Sequence, residues 1–394
     1  MRLSVVAGLV IGVIVCAGTP AVAAPSPAVS PAAASVTVTA GTDDDLTTEA
    51  QRYVASLTLR EKAASVIMGH IPTTDTALLK AYMHNTGAGG LILMGANIPD
   101  SEAALRDVTA ALTGDRALPP LIAVDEEGGD VTRLPWDEFP AARQVRDAAP
   151  TAAREAYGAR AALVQRAGIG VNFGVIADVT DDAASFIYDR VLGTTPDAAA
   201  DRVGAAVEGE SGQVLTTLKH FPGHGAVEGN SHVMIPATGL TKAEWEKTDA
   251  VPFRAGIDAG APLLMFGHLA YTAVDAQPAS LSKRWHAIAR DELGFSGVAI
   301  TDDLGMLQAS GNADYADPVA NAVQAIAAGN DMVLAVMYTT AESAPALTDG
   351  IVAAVKDGSL SEQRLDEAAT RVMRLRVQTA ALGRGLLPCE DCAP

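Results

Sequence analysis

Eight short, almost uninterrupted apolar runs punctuate this chain, at residues 64–71, 90–94, 121–125, 171–178, 215–221, 263–269, 298–302 and 332–337. Each has the length of a strand, and continuous apolarity marks strands buried on both faces, as in a parallel sheet. Between them the apolar positions recur with a helical period, at 75–84, 101–112, 151–167, 196–211, 242–259, 283–293, 318–328 and 342–356. A ninth such stretch, 361–381, follows the last run. Strict alternation of strand and helix, eight times over, predicts an α/β fold, a single closed (β/α)8 TIM barrel. The competing architecture, an open doubly wound sheet, calls for a glycine-rich phosphate-binding turn after an early strand, and no such turn follows one here.

The N-terminus departs from this pattern. Arg2 is the sole charge before Asp43, an apolar run covers 5–17, and Ala21-Val22-Ala23 follows. Charge, short apolar run and small-x-small motif predict a secretory signal peptide over 1–23. The run is shorter than the roughly 20 residues a membrane-spanning helix needs, so no transmembrane segment is expected. Cys16 offers lipid anchoring as a second reading, although Val15 stands where a small residue is expected before a lipidated cysteine. Residues 24–45 are almost all Ala, Pro, Ser, Thr and Val, a composition that buries too little surface to offset ordering, and are read as a flexible tether. The barrel is then assigned to 46–385, and a tail to 386–394, with no second domain after it. Cys389 and Cys392 lie in that tail and in an oxidising compartment are candidates for a small disulfide loop.

Charge removes one class of partner. Lys and Arg number 28 against 47 Asp and Glu, a net charge of −19 that becomes −20 once Arg2 leaves with the signal. Such a chain repels a phosphate backbone, which argues against nucleic acid. A monomer is expected.

Catalytic residues of a barrel enzyme sit at the C-terminal strand ends. Here the runs end in Asp125-Glu126-Glu127-Gly128-Gly129, near Asp178, in Lys219-His220-Phe221-Pro222-Gly223-His224-Gly225, in His268 and in Asp302-Asp303. Ionisable groups at five consecutive ends predict one pocket at the top of the barrel. Two chemistries suit it. Glycoside hydrolysis needs a carboxylate nucleophile and a proton donor across the scissile bond. Metal-assisted hydrolysis would use His220, His224, His232 and His268 with nearby carboxylates. The plainer alternatives are that Lys219 and Asp125 form a structural ion pair, that Asp302 caps the following helix (a place that suits Asp303 better), that His268 is a supporting or satisfied core histidine, and that Trp136 and Trp285 are packing residues. His70, His84 and His286 carry no motif.

The heptapeptide 219–225 resembles the signature of family 3 glycoside hydrolases, in their β-N-acetylglucosaminidase branch. Further blocks resemble that family in the same order: Gly89-Gly90-Leu91-Ile92-Leu93, the 125–129 block with Arg133, Asp189-Arg190, Met265-Phe266-Gly267-His268, Thr301-Asp302-Asp303 and Ala327-Ala328-Gly329-Asn330-Asp331. The resemblance implies Asp302 as nucleophile and His232 as general acid/base. It implies that Asp125, Arg133, Arg190, Lys219 and His220 hold a terminal N-acetylglucosamine. It also implies a retaining mechanism, no metal or other cofactor, and cell-wall (peptidoglycan) fragments as the carbohydrate substrate.

Three positions depart from the family pattern. Asn230 stands two residues before His232, where the family has an aspartate that orients the imidazole and stabilises its charged form. Ala226 replaces an acidic residue, and Asp130 stands where arginine is common. Asparagine still orients the ring but supplies no charge, so a weaker acid/base pair is expected, with Glu228 as a candidate substitute. Two other activities stay open: transfer of the glycosyl group to phosphate, which the resemblance implies for some relatives with a histidine acid/base, and muropeptide binding with little or no turnover, which Asn230 suggests.

Overall fold

The structure is a computed structural model, and it describes residues 43–113 and 118–381. Eight parallel strands close into a barrel: β1 (Ile67–Gly69), β2 (Gly90–Leu93), β3 (Leu121–Val124), β4 (Val171–Ile176), β5 (Leu215–Phe221), β6 (Leu263–Phe266), β7 (Val298–Asp303) and β8 (Met332–Leu334). Each strand pairs with its neighbours in chain order, and β1 closes on β8 through the registers Ile67↔Val333 and Met68↔Leu334. All eight fall within or against the expected runs.

The barrel is filled by alternate residues. Leu121 and Ala123, Leu263 and Met265, Val298 and Ile300, and Met332 and Leu334 share one buried cluster, with Val372 and Leu375 of the last helix, Glu362–Ala381. The intervening residues, such as Leu218, Leu264, Phe266 and Ala299, belong to a second cluster that packs outward on the helices. This period of two is the pleat itself. It has a functional consequence: the inward rows Leu121–Ala123, Leu215–Thr217 and Val298–Ile300 continue at the next step to Asp125, Lys219 and Asp302.

The structure also revises several boundaries. A helix, Asp43–Ser56, begins inside the segment read as a tether. A second, Leu59–Ser65, occupies the start of the first apolar run and shortens β1. Its signal was present: the Thr58 side chain accepts from the Glu61 amide, and the Glu61 carboxylate accepts from the Thr58 amide at 2.8 Å, a capping box. The stretch 242–259 splits into Lys242–Trp245 and Ala250–Asp258. Pro252 lacks the N–H that would bond the Thr248 carbonyl, so one continuous helix cannot form there. The stretch 283–293 is an α-helix, Lys283–Ala287, passing into a π-helical turn, Ile288–Glu292. The signal segment 1–23, the tether up to residue 42 and the tail with Cys389 and Cys392 lie outside the described residues. Among the described residues no helix is long and apolar enough to cross a membrane.

Candidate active site

The C-terminal end of the barrel gathers the charged strand ends into one network. Lys219 Nζ lies 2.7 Å from Asp125 Oδ1 and 2.8 Å from Glu127 Oε1. Arg190 donates to both oxygens of Glu127, Nε to Oε2 at 2.8 Å and Nη2 to Oε1 at 2.7 Å. Arg133 approaches the other oxygen of Asp125 at 3.7 Å. Burial pushes the Glu127 carboxyl up, but Lys219 and Arg190 outweigh it and hold it down at about 2. Burial likewise disfavours the Lys219 ammonium, and Asp125 and Glu127 more than compensate, raising its pKa. Glu127 and Lys219 are therefore ionised at neutral pH. Such a set offers fixed donors and acceptors to sugar hydroxyls.

The ion pair between Lys219 and Asp125 is thus present, and it belongs to a larger charged network at the C-terminal end of the barrel. Lys219→Met should leave the buried Glu127 and Asp125 short of a cation. A stability loss of about 3–5 kcal/mol is expected from breaking a buried pair, together with a higher KM. Thermal denaturation and Michaelis kinetics on the same variant check it; an unchanged melting temperature and KM would contradict this account of the network.

A second network fixes the histidines. Asp178, fully buried, accepts from the His224 amide at 2.6 Å and from the His220 amide at 3.1 Å, and its Oδ2 lies 2.8 Å from His220 Nδ1. Burial would raise the Asp178 carboxyl, but His220 and the amides hold it below its usual range. The His220 ring is thereby held in one orientation. Beneath the loop, Trp245 Nε1 donates to Pro222 O at 2.8 Å and the Tyr271 hydroxyl donates to Gly223 O at 2.7 Å. The peptide bonds Lys219–His220 and Phe221–Pro222 are cis.

The two adjacent aspartates of β7 have opposite employment. Asp303 caps the helix Leu304–Ala309 through the Gly305 amide at 3.0 Å, and accepts the Val336 and Met337 amides at 2.9 and 2.8 Å. Burial dominates there and raises its pKa to about 6. Asp302 accepts one hydrogen bond among the described residues, from the Asp303 amide at 2.8 Å. Burial pushes the Asp302 carboxyl up, but His220, His268, the Asp303 amide and Lys219 together bring it below the ordinary value. It is an ionised carboxylate with free lone pairs on the inner face of the barrel.

His268 is the satisfied core histidine its surroundings suggested. Its Nε2 lies 2.9 Å from the Asp303 carbonyl and its Nδ1 2.7 Å from the Ser280 hydroxyl. A carbonyl only accepts, so Nε2 carries the proton and Nδ1 accepts from Ser280. Trp285 is fully buried in an aromatic cluster with Trp245, Phe221 and Tyr271, and does not line the pocket.

His232 stands on the exposed loop after β5. Asn230 Oδ1 accepts its backbone amide at 3.0 Å and lies 2.8 Å from its Nδ1. An amide oxygen only accepts, so the proton resides on Nδ1 and Nε2 is left for chemistry. Burial lowers the His232 pKa first, and the strongest charges acting on it are Asp302, which raises it, then His220, Arg190 and Asp125. Those are pocket residues, so the imidazole lies within electrostatic reach of the site. Glu228 is exposed on the same loop and is not one of the main charges acting on His232.

Two residues of these networks, named in the sequence only as ionisable strand ends, acquire roles in the structure. Glu127 bridges Lys219 and Arg190, and Asp178 orients His220. Parity carried the signal for the first. In the block Asp125-Glu126-Glu127, the middle residue turns away to accept the Arg133 and Leu134 amides, both at 2.9 Å. Among the described residues, no group of three or more His, Cys, Asp or Glu side chains is placed to hold a metal ion.

Known proteins resemble this chain over most of the barrel. Residues 58–375 match the model of the glycosyl hydrolase family 3 N-terminal domain. A β-hexosaminidase of Nitrosospira multiformis is 37% identical over 286 residues, covering 68% of this chain and 79% of that one. Among solved structures, a family 3 β-N-acetylglucosaminidase from a Paenibacillus species superposes with a TM-score of 0.76 at 30% identity, over 83% of this chain and 64% of that chain. The Mycobacterium tuberculosis protein LpqI superposes with a TM-score of 0.72 at 28% identity, over 82% of this chain and 95% of that chain. The chain therefore belongs to glycosyl hydrolase family 3, as a glycosidase whose relatives are β-hexosaminidases.

Proposed function

We propose that this chain is an exported, retaining β-N-acetylhexosaminidase that removes terminal β-linked N-acetylglucosamine from peptidoglycan fragments. The observation that carries the reading is the division of labour on β7: Asp303 is fully engaged by three backbone amides, while Asp302 is ionised with free lone pairs. In the first step an Asp302 oxygen attacks the anomeric carbon. The His232 imidazolium gives its Nε2 proton to the departing glycosidic oxygen, and a covalent glycosyl-enzyme forms. In the second step neutral His232 takes a proton from water, the water oxygen bonds the anomeric carbon, and the Asp302 carboxylate leaves. Two inversions retain configuration. Asp125, Arg133, Arg190, Lys219 and His220 hold the sugar hydroxyls meanwhile, preorganised by Glu127 and Asp178.

Turnover of a β-N-acetylglucosaminide, followed by proton NMR of the first-formed anomer, tests this. A β product supports the reading; an α product, or sugar binding without turnover, overturns it. A phosphate acceptor is the second reading, favoured by the neutral amide beside His232, because an imidazole–amide pair repels an anionic acceptor less than a carboxylate would. Adding phosphate to the assay and looking for the sugar 1-phosphate separates the two. Dialysis against a strong chelator is expected to leave activity intact; zinc-restorable loss would contradict the assignment. Export rests on the 1–23 segment, and N-terminal sequencing of the mature protein, expected to begin at Ala24, checks it against lipid attachment at Cys16.

A further inference from the structure

Among the described residues, Tyr338 is the one non-glycine residue with a positive φ, 61°. That left-handed backbone crowds Cβ against the following carbonyl and is rare for a bulky side chain. The surroundings hold it there. The Val336 and Met337 amides are tied to the Asp303 carboxylate, and the Thr339 hydroxyl donates to the Val336 carbonyl at 2.6 Å. Gly305, in the helix that Asp303 caps, packs so closely that a Cβ there would lie 2.5 Å from the Met337 Cβ. The conformation is therefore fixed by the residue next to Asp302. Yet the tyrosine is not packed away, being 66% exposed. A residue held in a disfavoured conformation to keep an aromatic ring in solvent points to ligand contact.

The distribution of apolar surface agrees. The exposed large hydrophobics among the described residues are Leu78, Phe186, Val233, Met234 and Tyr338. All lie on segments leaving the C-terminal ends of barrel strands, after β1, β4, β5, β5 and β8. They share the end of the barrel that carries Asp302. Just after Tyr338, Thr340 and Ala341 face Ile71, Pro72 and Leu78 across a groove of about 480 Å³ between the β8 and β1 segments.

The direction of the substrate follows from ring order. The groups that would hold the terminal sugar lie after β3 and β4 and on β5, and Asp302 lies on β7. β8 and β1 come next around the barrel. An equatorial β-glycosidic bond continues the long axis of its sugar, so a group beyond the anomeric carbon would extend toward β8 and β1. We propose that Tyr338 is the platform of the leaving-group subsite, stacking on the apolar face of the pyranose that follows the scissile bond and favouring glycans over small alkyl aglycones. This rests on the β-N-acetylglucosaminidase reading above. The charged pocket grips hydroxyls, whereas an aromatic ring grips the C–H face of the next sugar.

The test compares diacetylchitobiose with methyl β-N-acetylglucosaminide, using kcat/KM for each. Tyr338→Ala is expected to shift the ratio about five- to tenfold toward the methyl glycoside, mainly through the disaccharide KM, as loss of one ring contact would. Tyr338→Phe restores the ratio. Tyr338→Gly removes the backbone conflict, so it should melt no lower than the parent and still show the shifted ratio. An unshifted ratio in the Ala and Gly variants, or equal losses on both substrates, overturns the subsite. A parent protein that cleaves neither glycoside overturns the underlying activity as well, which distinguishes the two failures.

Discussion

Asp302→Ala is expected to lower kcat by about four to six orders of magnitude, the loss seen when a covalent nucleophile is removed. Folding and sugar binding should survive, because Asp302 accepts one amide hydrogen bond and caps nothing. Its neighbour provides the contrast. Asp303→Ala strips three backbone amides of their acceptor and removes a helix cap, so it should cost about 1–2 kcal/mol for the cap and more for the other two amides. Melting temperature and single-turnover kinetics on the two variants separate the roles. If Asp302→Ala retains near-parental turnover, the nucleophile is elsewhere. A peptic digest after reaction with a 2-deoxy-2-fluoro or 5-fluoro glycosyl donor should then show the sugar on another residue.

Asn230→Asp should increase activity. The imidazolium of His232 is the acid of the first step, so rate that depends on it is present below the His232 pKa and lost as pH rises through it. Burial holds that pKa below the usual 6.5, and Asn230 offers an acceptor at 2.8 Å with no charge to counter it. A carboxylate at the same place would stabilise the imidazolium and raise its pKa. The basic limb of the pH–rate profile should therefore move to higher pH. The acid limb should stay where Asp302 sets it, below the ordinary carboxylate range. General-acid catalysis supplies about 10²–10⁴ in rate, so a partial repair should give about ten- to a hundredfold on disaccharides near neutral pH. Aryl glycosides, whose leaving groups need little protonation, should change much less. A basic limb that stays in place, or a fall in disaccharide cleavage, would show that Asn230 is not a deficit and that His232 is supported otherwise.

The barrel was legible because buried parallel strands must be continuously apolar, and eight such runs alternating with amphipathic stretches leave few other closed packings. The inward placement of Asp125, Lys219 and Asp302 was legible too, since the pleat has a period of two and each extends an apolar row of the barrel interior. The family motifs supplied the chemistry, and the Asn230 departure could be read directly from its place two residues before His232. Local capping was readable but overlooked: Thr58 and Glu61 announce the helix that shortens β1. Other features required the fold. Asp302 and Asp303 are the same residue type in adjacent positions. Only the amides of Gly305, Val336 and Met337, brought together by β7 and β8, decide which carboxylate is engaged and which is free. Glu127 and Asp178 become positioning groups only when segments far apart in the chain converge, because their polar contacts reach residues 42 to 92 positions away. Tyr338 has no sequence motif at all. Its backbone conformation is imposed by the Asp303 carboxylate and by the close approach of Gly305, and a strained dihedral is a property of the packing around a residue rather than of the residue itself.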